Sequence, residues 1–125
     1  MRGLVDEEEV REFAEAIAPL ESAGQLDTSI EDREGAPGLS LRHAPGHTPE
    51  HRCVLLDAGG EQVLFAADLL HFTFQLNDRG FRSPGDVDPE EGCRTRAVWL
   101  DRAESEGLTL ATAHVPPFPH RSDRP

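Results

Sequence analysis

Three side chains in this sequence have the chemistry to hold a transition metal: His47, Asp68 and His114. They are 21 and 46 residues apart, and each stands just past an apolar run of strand length. Imidazole and carboxylate suit zinc, iron or manganese, and a catalytic zinc takes about three protein ligands and keeps one position open. Two histidines and one aspartate meet that count. Loops at one edge of a sheet bring distant positions together, so the repeated order of strand end, loop and ligand predicts one site built from three segments. Taken singly, each of these residues also fits an ordinary loop or cap role; the combination makes them candidates.

The elements that must position them follow from periodicity. Leu39, Leu41 and His43 alternate with polar residues up to Ala44-Pro45-Gly46, which predicts a strand running straight into the loop of His47. Cys53 to Leu56 and Val63 to Ala66 are apolar runs separated by a loop with Gly59-Gly60, the pattern of a hairpin with largely buried strands, and Asp68 follows the second. A last apolar strand, Leu108 to Ala113, leads to His114. Asp88-Pro89-Glu90-Glu91 supplies an N-cap, a proline at the first helical position and an acidic first turn. A helix is expected from there to Gly107, with Cys93, Ala97, Leu100 and Ala103 on one face. Near the start, Asp6 with Glu9 and the spacing of Val10, Phe13, Ala14 and Ile17 predict an amphipathic helix that ends or kinks near Pro19. Its apolar face needs a partner surface. Glu21 to Pro37 reads as a polar connector with a short strand around Gln25 to Ile30. His71 to Val87 is a long irregular stretch in which Phe72, Phe74 and Phe81 are candidates for an apolar substrate wall. Strands and helices are mixed, so the class is α/β or α+β.

The totals set the bounds. A chain of 125 residues is one compact domain or a large piece of one, and 37% apolar residues with 11 Gly and 10 Pro imply many loops and a modest core. The formal charge of -12 repels a phosphate backbone, which argues against nucleic acid and anionic membranes as partners and leaves a cation as the easier one. All 12 basic residues are arginines, scattered along the chain, and indicate no partner. Cys53 and Cys93 lack Cys-x-x-Cys spacing and form no disulfide framework. The start of the chain turns acidic before an apolar run forms, so no signal peptide or membrane span is expected and the expected location is cytoplasmic.

Ala44-Pro45-Gly46-His47-Thr48-Pro49-Glu50-His51 resembles the Pro-Gly-His-Thr-Pro-Gly-His signature of the metallo-β-lactamase superfamily of metal hydrolases. Val63 to His71 is similar to that family's apolar strand ending in Gly-Asp, and Ala111-Thr112-Ala113-His114 to its last ligand-bearing strand end. Asp86-Val87-Asp88-Pro89, the Arg94 to Glu106 helix and His114 to Pro119 are similar to a subgroup with lactonase-like and organophosphate-hydrolase-like enzymes, and the likeness reaches upstream to Pro19–Gly24. The resemblance implies an αββα sandwich with two zinc ions, or iron or manganese in their place. It makes Asp68 the catalytic carboxylate that bridges them, His47 a ligand of the first and His114 a ligand of the second. The hydroxide held between them would attack an ester, lactone or phosphoester of a small-molecule substrate. His51, His71 and Phe72 lie beside these ligands, where hydrogen-bonding support or the substrate pocket is implied. His43 and His120 are assigned plain structural roles.

The family's first ligand cluster, His-x-His-x-Asp-His, has no counterpart, because Met1 to Leu41 contains no histidine. The expectation is a single partial domain over residues 1–125, with a helix and connector in 1–24 and the ligand-bearing C-terminal half in 37–120. The N-terminal sheet and first cluster would be missing, leaving each metal one histidine and a shared aspartate. Apolar faces would lack their cover, and the partner would be a second copy of the chain or the missing N-terminal half. The chain is then a fragment of a longer enzyme or a decayed, inactive reading frame. The alternative is a non-enzymatic acidic module that serves interaction or binds a single metal weakly through His47, Asp68 and His114; a third is one site shared between two chains. Glu50, Ala67 and His120 stand where the family usually has Gly.

Overall fold

The computed structural model describes residues 6–29 and 31–115. Five strands form one sheet in sequential order: β1 (Arg33–Ala36), β2 (Leu39–His43), β3 (Arg52–Ala58), β4 (Glu61–Phe65) and β5 (Thr109–Ala111). The first four meander antiparallel, and β5 returns parallel to β4. A parallel return needs a long crossover, which here contains helix α2 (Pro89–Glu106). Asp88 caps its start by accepting the Glu91 N–H at 2.9 Å, and Gly107 ends it with a left-handed φ of 71° that a side chain would disfavour. The mixed class, the hairpin and this helix are as the sequence predicts.

Side chains alternate across the strands, so the hairpin is buried on one face only rather than on both. Leu55 on β3 pairs with Leu64 on β4, which pairs with Leu110 on β5, and this line joins Cys53, Trp99 and Ala103 in the main core. A second cluster gathers Leu70, Leu100 and Val115, with Leu76 and Leu110 against it. On α2 the buried stripe is Gly92, Arg96, Trp99, Leu100 and Ala103, while Cys93 and Ala97 are half-buried. The stripe is rotated by one residue from the expected face. The helical period allows it, because Arg96 finds hydrogen-bond acceptors in the interior.

The opposite sheet face consists of Leu39, Leu41, Val54, Leu56, Val63 and Phe65, half-buried except for Phe65, which is 44% exposed. Helix α1 (Glu7–Ser22) gives it no cover, since none of the helix's residues is buried and Phe13 is 69% exposed. Asp6 caps α1 through the Glu8 N–H. The helix continues three residues past Pro19, whose ring removes a single N–H, while the carbonyls of Pro19, Leu20 and Glu21 accept from Ala23, Gln25 and Gly24. The connector's strand lies at Arg33–Ala36 rather than around Gln25 to Ile30, because a tight turn at Pro37-Gly38 lets it pair locally with β2. The last strand pairs only over Thr109–Ala111, shorter than Leu108 to Ala113.

Candidate metal centre

The loop after β2 is closed at its neck, where the Ala44 N–H donates to the His51 carbonyl at 2.8 Å. Its tip rests on the entry to α2: Val87 and Asp88 donate their N–H groups to the carbonyls of His47 and Gly46 at 3.1 and 3.0 Å. A Cβ on Gly46 would run into the backbone of Gly92, and its φ of 134° also excludes an ordinary side chain. Two glycines in contact thus allow the loop to dock and bring His47 beside Asp86. Glu50 is exposed.

Asp68 sits in a short 3-10 turn, Ala67–Leu69, directly after β4. Ala67 has a φ of 46°, the left-handed region where Gly is favoured, and is the only non-glycine with positive φ among the described residues. The carboxylate of Asp68 is the centre of the cluster. Its Oδ1 accepts from His114 Nε2 at 2.7 Å and lies 3.9 Å from His71 Nε2, while Oδ2 lies 3.7 Å from His47 Nε2. Burial pushes the Asp68 carboxyl up, but the His114 hydrogen bond and the neighbouring His47, His114 and His71 outweigh it and hold it below its ordinary value. For His71 the burial and the nearby His47 and His114 win over Asp68 and Asp86, and its pKa lies below the ordinary imidazole value. Both shifts favour the forms that ligate metal, an ionised carboxylate and a neutral imidazole.

The five described histidines are committed differently. His51 is buried and uses both nitrogens: Nδ1–H donates to the Ala44 carbonyl at 2.8 Å and Nε2 accepts from the Asp68 N–H at 3.1 Å. One neutral tautomer satisfies both bonds, so His51 ties the loop to the backbone of Asp68. His47 donates Nδ1–H to Asp86 at 3.2 Å, which leaves Nε2 facing Asp68. His43 turns away to the Pro49 carbonyl. His71 stacks on His114 with ring centroids 4.9 Å apart and lies equally close to His47. His120 lies outside the described residues.

Sequence reasoning missed three residues that hold this cluster. Asp86 and Arg96 form an ion pair at 3.1 Å with both side chains 1% exposed. Arg96 also donates to the carbonyls of Leu69 and Phe81, so it ties α2 to the Asp68 turn and to the loop before Asp86. Gln75, fully buried, accepts the N–H groups of His71 and Phe72 at 2.8 and 2.9 Å. The signal for Arg96 was its place in the stripe Gly92, Arg96, Trp99, Ala103, and for Asp86 its place in the Asp86-Val87-Asp88-Pro89 segment that carries the resemblance; for Gln75, a polar residue in an irregular stretch, there was none. Phe72, Phe74 and Phe81 pack on each other with centroids 4.8 to 6.4 Å apart; Phe72 and Phe74 remain half-exposed, and Phe72 lies beside His71.

Donor atoms close enough for one ion occur in two sets, Asp68 with His71 and His114, and His47 with His71 and Asp86. The donor chemistry, imidazole nitrogen and carboxylate oxygen, fits zinc, iron or manganese. No described helix is long and apolar enough to cross a membrane.

The sequence profile described as the metallo-beta-lactamase superfamily matches residues 2–122. No curated protein matches the sequence. Among solved structures, the chain is similar to the hydrolase AbOPH of the beta lactamase superfamily, at 28% identity and a TM-score of 0.77, over 86% of this chain and 37% of that one. It is similar to AidC, a dizinc quorum-quenching lactonase in complex with a product, at 21% identity and a TM-score of 0.65, over 89% of this chain and 39% of that one. A third is an N-acyl homoserine lactone hydrolase with product bound at its catalytic metal center, at 23% identity and a TM-score of 0.57, over 66% and 33% of the two chains. The sequence thus spans well under half the length of each of these relatives.

Proposed function

The chain belongs to the metallo-β-lactamase superfamily, and from that premise we propose that it supplies the ligand-bearing C-terminal half of a metal-dependent hydrolase acting on an ester, lactone or phosphoester of a small molecule. One observation carries this reading: the Nε2 atoms of His47, His71 and His114 all face the single carboxylate of Asp68 at 3.7, 3.9 and 2.7 Å. Asp68, which faces His114 through Oδ1 and His47 through Oδ2, would hold metal together with these two histidines. His47 would serve one ion and His114 the other. Bound there, the metals would lower the pKa of a water and polarise the bond to be hydrolysed.

The chain's own residues set the geometry. Asp86 accepts a hydrogen bond from the Nδ1–H of His47, which orients Nε2 towards Asp68, and Arg96 keeps Asp86 in place. His51 holds the Asp68 backbone, and Phe72 with Phe74 offers an apolar surface next to the cluster for the organic part of a substrate. The reading of residues 37–120 as the ligand-bearing unit is supported by the core, to which α1 contributes no buried residue. The remaining donors and the cover for the open sheet face would come from polypeptide outside this sequence, as the 37% share of AbOPH suggests. A cytoplasmic setting is in keeping with two free thiols.

The test is fusion of this chain to a segment that carries His-x-His-x-Asp-His, followed by lactone, aryl-ester and phosphotriester assays with zinc. Turnover that Asp68→Ala abolishes is expected. Turnover indifferent to Asp68, or none with two ions bound, overturns the reading. The alternative, a non-enzymatic acidic module derived from this fold, is favoured by the open apolar face, which would then serve a second copy of the chain.

A further inference from the structure

His71 is the one described histidine with neither ring nitrogen in a hydrogen bond. Its Nε2 stops 3.9 Å from Asp68 Oδ1, and its Nδ1 is buried without a partner. Buried imidazoles normally commit their nitrogens, as His51 does here. Yet His71 is not loosely held: Gln75 clamps its backbone and that of Phe72 through one amide oxygen, and the ring is stacked on His114. An uncommitted nitrogen on a fixed ring, facing a carboxylate, is a preorganised donor.

We propose that Asp68, His71 and His114 hold one divalent transition-metal ion on this chain by itself, with a coordination position left open. The proposal rests on the metal-site reading for Asp68 and His114 and adds His71, which changes the ligand count: His114, His71 and one carboxylate oxygen make three donors without any contribution from outside the chain. Their donor atoms lie within 4.8 Å of one another. Ligands of one tetrahedral ion at zinc distances are about 3.3 Å apart. The His114–Asp68 separation of 2.7 Å must therefore open and the His71–Asp68 separation of 3.9 Å close, each by well under an ångström. The ion would take the place of the proton that His114 Nε2 now donates. The other set is a poorer host, because Asp86 is already engaged by Arg96 and His47 together. His47 faces the opposite oxygen of Asp68 and takes no part in this set.

Cobalt(II) titrated into the purified chain, followed by its visible absorption and by direct metal analysis, tests this without any assay of activity. One ion per chain is expected. His71→Ala and the shape-conserving His71→Gln should each weaken binding by about 100-fold or more, beyond the range typical of residues that only support a ligand, whereas His47→Ala should change it by less than about tenfold. In the wild-type chain, zinc should shift the imidazole signals of His71 and His114 and leave those of His51 in place, a readout that stands even if a variant does not fold. Binding unaffected by His71→Gln but lost in His47→Ala overturns the proposal and leaves the hydrolase reading intact. Absence of binding in the wild type also overturns it, while the fused enzyme still tests the hydrolase reading separately.

Discussion

The two faces of the sheet have the same kinds of residue and opposite fates. On one, Cys53, Leu55 and Leu64 are sealed by α2, and Arg96 reaches from that helix to tie the loops of the cluster together. On the other, Leu41, Val54 and Phe65 line up across β2, β3 and β4 in register, equally apolar, the first two only half-buried and Phe65 exposed. The difference teaches that the candidate cluster is held in place from the covered face, through α2. The crossover that lays α2 on the sheet is the same connection that delivers Asp86 to His47 and Leu69 to Arg96. The open face adds apolar area that no described element covers, which is the face a sandwich would close.

The sharpest way to break the comparison is to attack its covered side at Arg96. Arg96→Ala leaves the buried Asp86 carboxylate without its guanidinium partner, facing only the His47 ring, and should cost about 3–5 kcal/mol in denaturant unfolding, while the paired change Arg96→Met with Asp86→Leu should recover much of that loss. Leu64→Ala, at 0% exposure, should cost about 2–5 kcal/mol. Its neighbour on the other face, Phe65→Ala, should stay within about 0.5 kcal/mol for the isolated chain. Equal losses at the two positions would mean that the open face is covered in solution. Analytical ultracentrifugation of Phe65→Asp then distinguishes a second copy as the cover, since self-association should fall.

A smaller effect is expected at Ala67, the residue before the central aspartate. Relief of its left-handed φ of 46° by Ala67→Gly should stabilise the chain by about 0.5–1 kcal/mol, the strain removed less the entropy glycine adds to the unfolded state. The smallest effect is kinetic. Burial pushes the Cys53 thiol up to about 12 from 9.0, so the folded state keeps its proton where the unfolded thiol would lose it. Its contribution to stability is fully present below pH 9 and declines as the pH rises towards 12. At neutral pH a thiol reagent should label half-buried Cys93 first, with Cys53 reacting only as the covered face opens.

Much of this was legible in the residues themselves. The alternation from Leu39 to His43, the paired apolar runs around Gly59-Gly60 and the Asp88-Pro89 helix start are local signals, and each became the element expected. His47, Asp68 and His114 each follow a strand, so their convergence at one sheet edge could be anticipated from order alone. Less visible were the partners. Asp86 and Gln75 lie in an irregular stretch where no period marks a polar residue as interior, and Arg96 reads as a surface charge until its three acceptors are in place. The strand at Arg33–Ala36 was equally hidden, because it exists only through pairing with β2.

By itself the sequence determined which side chains have the chemistry to ligate, the order of strands and helices that brings them forward, and the family to which they belong. Only the tertiary structure decided that Asp68 is the shared centre, that His51 is committed to holding it, and that His71 faces it with nitrogens unbonded. The physical reason is that ligand identity is a property of the residue, whereas a donor's availability depends on which hydrogen bonds its neighbours have already taken, and those neighbours are 17 to 46 residues away in the chain.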